Sequence, residues 1–198
     1  MNERCRKIFD TLKVEITDLH LRWVIYRQLY ASSNEAVELL NASGSNVFYL
    51  LQFLLLDDCA LKLSKLTDPP TQGKFENLSV HQLVNAIVDS DGAFPRAEME
   101  GILKTLNARC EGFRTIRNKR IAHADLNHAL RVVEEPLLGI SREDVELALE
   151  TVREAINCIE SHYFQSETLY QEVIIPYSGD GNKLLAILRA GNQKTAAH

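Results

Sequence analysis

An arginine is followed six positions later by a histidine in the run Arg117-Asn118-Lys119-Arg120-Ile121-Ala122-His123, with an amide beside the arginine. Arginine is a permanent cation whose planar fork can grip a phosphate at two points. Histidine changes charge close to physiological pH and so serves as acid or base. A phosphate-binding cation beside a tunable acid/base is the minimum equipment for cutting RNA without a metal. In that reaction the ribose 2′-hydroxyl attacks the adjacent phosphate and leaves a 2′,3′-cyclic phosphate. By residue type, His123 suits the proton transfer and Arg117 the charge that builds on the non-bridging oxygens.

On a regular α-helix the two side chains do not share a face, since six steps leave them about 120° apart. They meet one substrate if the helix unwinds near Ala122 or if a second copy of the chain completes the site. A second histidine must also protonate the leaving oxygen, and with one such motif per chain a symmetric dimer supplies it. Arg120 lies one turn from both residues, and Arg114 one turn before Arg117. They and Lys119 read either as phosphate-tracking cations or as a solvated basic face at a helix end that complements the dipole. Asn118 either orients His123 or bonds the backbone where the helix stops. Asp58 shares a stripe with residues 47, 50, 54 and 61. It is a candidate supporting carboxylate for the arginine-rich helix, or a partner for Lys62 one turn on. His123, Asp125 and His128 crowd together without a clear fourth ligand, so no metal site is assigned and no cofactor is expected.

These residues need rigid elements to hold them. Phe9, Leu12, Ile16, Leu19, Trp23, Tyr26 and Tyr30 recur at threes and fours and predict a helix over 3–30. Ser32-Ser33-Asn34 interrupts it and caps a short helix over 35–41; after Ser43-Gly44-Ser45 an apolar helix runs from Asn46 to Leu66 and stops at Asp68-Pro69-Pro70. Its aromatics Phe48, Tyr49 and Phe53 read as core. A polar loop over 69–78 leads to Ser79, which with Gln82 forms a capping box for a helix through Val88. Asp89-Ser90-Asp91-Gly92 is a turn, and Pro95 opens a long helix to about Ala122 with Ile102, Leu106, Phe113, Ile116 and Ile121 on its apolar face. Residues 124–140 are irregular, and Ser141 with Asp144 caps a last long helix over 142–166. Beyond it, Glu172–Pro176 reads as extended, Asn182–Arg189 as a short helix and Gly191–His198 as frayed. The fold class is therefore all-α: an up-and-down helical bundle of four long helices plus short ones, with a small C-terminal appendage. Its divisions are residues 1–170 for the bundle and 171–198 for the extension.

Composition narrows the functions. The formal net charge is −5 over 198 residues, so any polyanion-binding surface is local. Lys104, Arg109, Arg114, Arg117, Lys119 and Arg120 cluster against Glu111 alone and offer such a surface. Cys5, Cys59, Cys110 and Cys158 form no CxxC pair and read as small buried hydrophobes. The amino terminus lacks the apolar core of a signal peptide, and the apolar run Val47–Leu56 is too short to span a bilayer. A cytoplasmic protein without a membrane partner is expected.

The motif in its helical setting resembles the HEPN superfamily. Within it, Phe113-Arg114-Thr115-Ile116-Arg117-Asn118-Lys119-Arg120-Ile121-Ala122-His123-Ala124-Asp125 is similar to the AbiU-type abortive-infection branch, as is Gly179-Asp180-Gly181-Asn182-Lys183-Leu184-Leu185. The resemblance implies a metal-independent endoribonuclease acting as a homodimer in phage defence or as a toxin, with Arg117 and His123 catalytic and Asn118 in the polar position after the arginine. It equally implies a silent relative that binds nucleotide, RNA or a partner protein through the same basic groove. An antitoxin protein is a further expected partner. Members paired with nucleotidyltransferase antitoxins often carry a tyrosine two residues after the histidine; Asp125 stands there, which argues against that mode of control.

Overall fold

A computed structural model describes residues 1–122, 126, 130, 139–175 and 179–195. It is 76% helical with almost no strand, an all-α helical bundle. The helices are α1 (Glu3–Tyr30), α2 (Asn34–Leu66), α3 (Val80–Val88), α4 (Arg96–Ile116), α5 (Arg142–Phe164) and α6 (Gly181–Thr195). The chain divides into two compact units, residues 1–17 with 60–170, and residues 18–59 with 171–198.

In the larger unit, the start of α1 buries Cys5, Phe9, Leu12 and Ile16. Their alternating spacing of four and three keeps one stripe facing inward. The end of α2 adds Leu63 and Leu66, and α3 adds Val80, Leu83 and Ile87. α4 packs along α5. That contact surrounds Met99, Leu106, Cys110, Phe113 and Ile116 of α4 and Val145, Leu149, Val152, Ile156 and Ile159 of α5, all buried. Each such side chain contributes roughly 1.5–3 kcal/mol of burial.

Caps set the helix starts. The Ser79 hydroxyl accepts from the Gln82 backbone N–H at 3.2 Å. The Gln82 amide does not close the reciprocal half of the box but donates to Glu76 at 3.2 Å. Ser141 Oγ accepts from the Asp144 N–H at 3.0 Å, and α5 ends at Phe164, where Gln165 turns left-handed with φ of 51°. Pro95 stands just before α4 rather than inside it. The predicted polar loop holds a small antiparallel hairpin, β1 (Thr71–Gln72) with β2 (Phe75–Glu76), turned at Gly73 with φ of 62°.

In the second unit, α1 continues with Leu19, Trp23, Tyr26 and Tyr30 buried. Trp23 stacks on Tyr26 with ring centroids 4.9 Å apart. α2 consists of two helical segments that meet in a kink at Gly44, where the backbone departs from helical values and the sequence placed a break. Tyr30 donates to the Phe48 carbonyl at 2.9 Å across that bend. The expectation that the α2 aromatics are core fails for two of them: Phe48 is half-buried, but Tyr49 is 65% and Phe53 43% exposed, and those two rings pack on each other instead. Taken from Asn34 to Leu66, α2 also has the length and hydropathy of a membrane span, although the apolar run within it is short.

Residues 173–175 form neither helix nor strand, and Pro176 lies outside the described residues. α6 is longer than expected, running through Gly191 to Thr195. Its start is held on α1: Gln28 donates to Asp180 and accepts from the Gly181 N–H, each at 2.9 Å. A Cβ on Gly181 would come within 2.9 Å of the Gln28 Cβ and 3.1 Å of Leu29 Cγ. Gly181→Ala is therefore expected to destabilise the protein by about 1–3 kcal/mol in urea unfolding. Gly191→Ala, where a Cβ meets nothing within 4 Å, should stabilise it slightly in the same assay.

Candidate active site

The α-helical ladder of α4 ends at Ile116, six residues earlier than the predicted break at Ala122. A π-helical turn, Arg117–Ile121, follows, closed by the Ala122 N–H donating to the Arg117 carbonyl at 2.8 Å. The turn carries Arg117, Asn118, Lys119 and Arg120, so the backbone changes form where the motif begins. Single π-turns are rare, and those that occur are frequently at functional sites.

Arg117 is firmly held. Its Nη1 donates to both carboxylate oxygens of Asp68, at 2.7 and 2.9 Å. Its Nε donates to Asn118 Oδ1 at 3.1 Å. The ion pair is largely out of water, with the two side chains 20% and 17% exposed. Among the described residues no hydrogen bond engages Arg117 Nη2. Asn118 thus bonds the arginine beside it, a role outside the two read from the sequence.

Asp68 follows the end of α2, and its N–H donates to the Lys65 carbonyl at 3.1 Å. An acid at a helix C-terminus opposes the dipole and calls for a cation. That is the signal in the sequence, where Asp68 otherwise reads as part of a helix stop. Thr67 does the same for the previous turn: Arg114 Nη1 donates to its hydroxyl at 2.9 Å, and Arg114 Nη2 to the Asn107 carbonyl at 2.8 Å.

The basic stretch is therefore not one uniform phosphate track. Arg114 ties α4 to the end of α2. Arg109 bonds the Leu147 carbonyl at 2.7 Å, Thr151 at 2.6 Å and Glu150 at 3.1 Å on α5. Both act as internal struts. Arg120 is exposed and Lys119 half-buried in the π-turn.

Among the described residues, Asp58 pairs with a cation of α1. Its carboxylate lies 3.2 Å from Arg22 of α1. Lys62, the other partner considered, reaches Glu15 at 2.9 Å. His123 lies outside the described residues, as do Asp125 and His128 of the metal reading. Two other histidines are engaged elsewhere, His81 with Asn107 at 2.9 Å and His162 with Asp91 at 3.1 Å. The His162, Tyr163 and Ala93 N–H bonds hold the Asp91 carboxyl down to about 2. The Cys110 thiol is pushed up to about 12 by burial, which leaves it a packing group rather than a nucleophile.

A family model described as AbiU2, of the HEPN type, matches residues 3–184. The chain belongs to the HEPN AbiU2 family. This is a HEPN-type abortive-infection family. The match runs from the first turn of α1 into α6, and so includes Asp68 and the whole motif. No curated protein and no solved structure matches the chain significantly.

Proposed function

We propose that this HEPN AbiU2 chain is a metal-independent endoribonuclease that acts as a cytoplasmic homodimer in phage defence or as a toxin restrained by an antitoxin. Arg117 binds the scissile phosphate and His123 moves the proton of the attacking 2′-hydroxyl. The His123 of a second copy protonates the leaving oxygen, and Arg120 with Lys119 tracks the flanking backbone. The observation that carries the reading is the motif's place: Arg117-Asn118-x4-His123 begins where α4 gives way to a π-turn, in a chain of this family.

The alternative is a silent module that binds nucleotide, RNA or a partner protein through the same residues. It is favoured by Asp68, which already offsets much of the Arg117 charge.

Incubation of the purified protein with generic RNA in excess chelator separates the two. The enzyme reading expects cleavage at an unchanged rate, with 2′,3′-cyclic phosphate on the upstream product. Binding without cleavage, at any protein concentration, establishes the silent module instead. Cleavage that stops with chelator and returns with a divalent ion overturns the metal-free mechanism. Sedimentation of the active species should give a dimer, and an active monomer overturns the shared site.

A further inference from the structure

We propose that Asp68 is a positioning residue for Arg117, fixing its guanidinium together with Asn118 so that Nη2 is the edge presented to phosphate. The inference rests on the reading of Arg117 as the phosphate ligand and adds the residue that aims it. A guanidinium can grip an oxyanion along its Nη1/Nη2 edge or its Nε/Nη2 edge. Asp68 takes Nη1 on the first edge and Asn118 takes Nε on the second. What the described residues leave is Nη2, which belongs to both.

The hold is built rather than incidental. Asp68 is fixed by its backbone bond to Lys65 and by Pro69-Pro70, whose carbonyls accept from Asn77 at 2.8 and 2.9 Å. The adjacent Thr67 grips Arg114, one turn before Arg117, so the end of α2 sets the register of two successive turns. Burial of the pair means that a swing of Arg117 away from Asp68 would strand a carboxylate in a poorly hydrated place. The arginine therefore stays in one orientation whether or not a ligand is present. This has a thermodynamic consequence. Partial neutralisation by Asp68 weakens the attraction of Arg117 for a phosphodiester in the ground state. A fixed donor still meets the extra charge that develops in the transition state, which is where stabilisation raises the rate.

The test uses the full-length protein and three readouts. Asp68→Ala is expected to lower kcat for RNA cleavage by roughly 10–100-fold through lost orientation. Its affinity for a 2′-O-methyl oligoribonucleotide, which lacks the attacking hydroxyl, should stay constant or rise, because a negative charge has been removed. Asp68→Asn keeps an acceptor for Nη1 in the same shape and should retain most of the rate. The proposal is overturned if Asp68→Ala cleaves like wild type. It is also overturned if both variants lose cleavage and binding in equal measure, as a merely structural residue would require. The third readout is the Arg117 Nε–Hε cross-peak in a ¹H–¹⁵N spectrum, identified by its absence from Arg117→Lys. It should be sharp in wild type and in Asp68→Asn and averaged away in Asp68→Ala. If wild type cuts no RNA, the ribonuclease reading falls alone; the cross-peak then decides Asp68, and one unchanged in Asp68→Ala refutes the positioning role.

Discussion

His123→Ala is expected to lower RNA cleavage by roughly 10²–10⁴-fold, the usual worth of a positioned general acid or base. Arg117→Ala should cost about 10²–10³-fold through loss of transition-state charge stabilisation. The two variants differ in a way that makes the pair informative. Arg117 is bound to Asp68 in a largely buried ion pair, so its removal leaves a carboxylate without its cation and should also lower the melting temperature. His123 lies outside the described residues, so the melting point of its variant is measured beside its activity. Loss of cleavage in Arg117→Ala alone, with a lowered melting point, would mean only that the fold had suffered. Loss in His123→Ala at an unchanged melting point assigns the chemistry. In a homodimer whose site uses the His123 of both copies, mixed dimers of wild type and His123→Ala should be impaired as well, so an excess of the variant should lower cleavage by wild type. A His123→Ala protein that cuts like wild type removes the enzymatic reading altogether.

The largest effect on stability is expected at Glu160, far in sequence from the motif. Glu160 is 1% exposed near the C-terminal end of α5. Its Oε1 receives Lys13 at 2.7 Å and the Tyr170 hydroxyl at 2.8 Å, and its Oε2 receives the Thr168 hydroxyl at 2.7 Å. Burial alone would push this carboxyl up, but the bonds from Lys13, Thr168 and Tyr170 outweigh it and hold the group below its ordinary value of 4.5. Glu160→Ala removes the carboxylate that receives a buried tyrosine hydroxyl and an ammonium, a loss of about 3 kcal/mol. For a chain of this size that is roughly 6–12 °C in melting temperature. The pH dependence follows from the direction of the shift. A depressed carboxyl stabilises the fold above its unfolded value and loses that contribution as pH falls through the folded one. Wild type should therefore lose stability on acidification from about pH 4.5 downward, with Asp91, shifted from 3.8 to about 2, adding to the loss at the lower end. Glu160→Ala should show a shallower acid dependence on a lower baseline. A variant melting within a degree of wild type at pH 7 would show that the network contributes little.

Much of the architecture was legible in the chain itself. The alternating four-and-three spacing from Phe9 to Tyr30 predicts α1 to its last residue, because one stripe must face inward for the helix to hold. Ser79 and Ser141 mark helix starts because their hydroxyls satisfy backbone donors that the helix leaves over. Local devices of this kind act within a few residues and can be read without the fold. Errors arose where no local rule applies. Tyr49 and Phe53 look like core, but whether an apolar side chain is covered depends on what packs beside it. Gly191 looks like a helix end, yet the helix tolerates it.

The site divides in the same way. Arg117, Asn118 and His123 were identified from residue type and spacing, together with the resemblance to the HEPN superfamily that the 3–184 match bears out. The role of Arg114 and Arg109 was not legible. Both look like phosphate binders, since a guanidinium is the same whether its acceptor is RNA or Thr67 and Thr151. Asp68 was passed over as a helix stop because its partner stands 49 residues away.

The sequence by itself determined the helices, their caps and the identity of the motif, all of which depend on neighbours within a turn or two. The tertiary structure alone decided which arginines are struts, that Arg117 is held by Asp68, and that the α-helix gives way to a π-turn where the motif begins. The physical reason is one of range. Propensity and capping are local, whereas the fate of a charge is set by whichever opposite charge the packed chain brings within hydrogen-bonding distance.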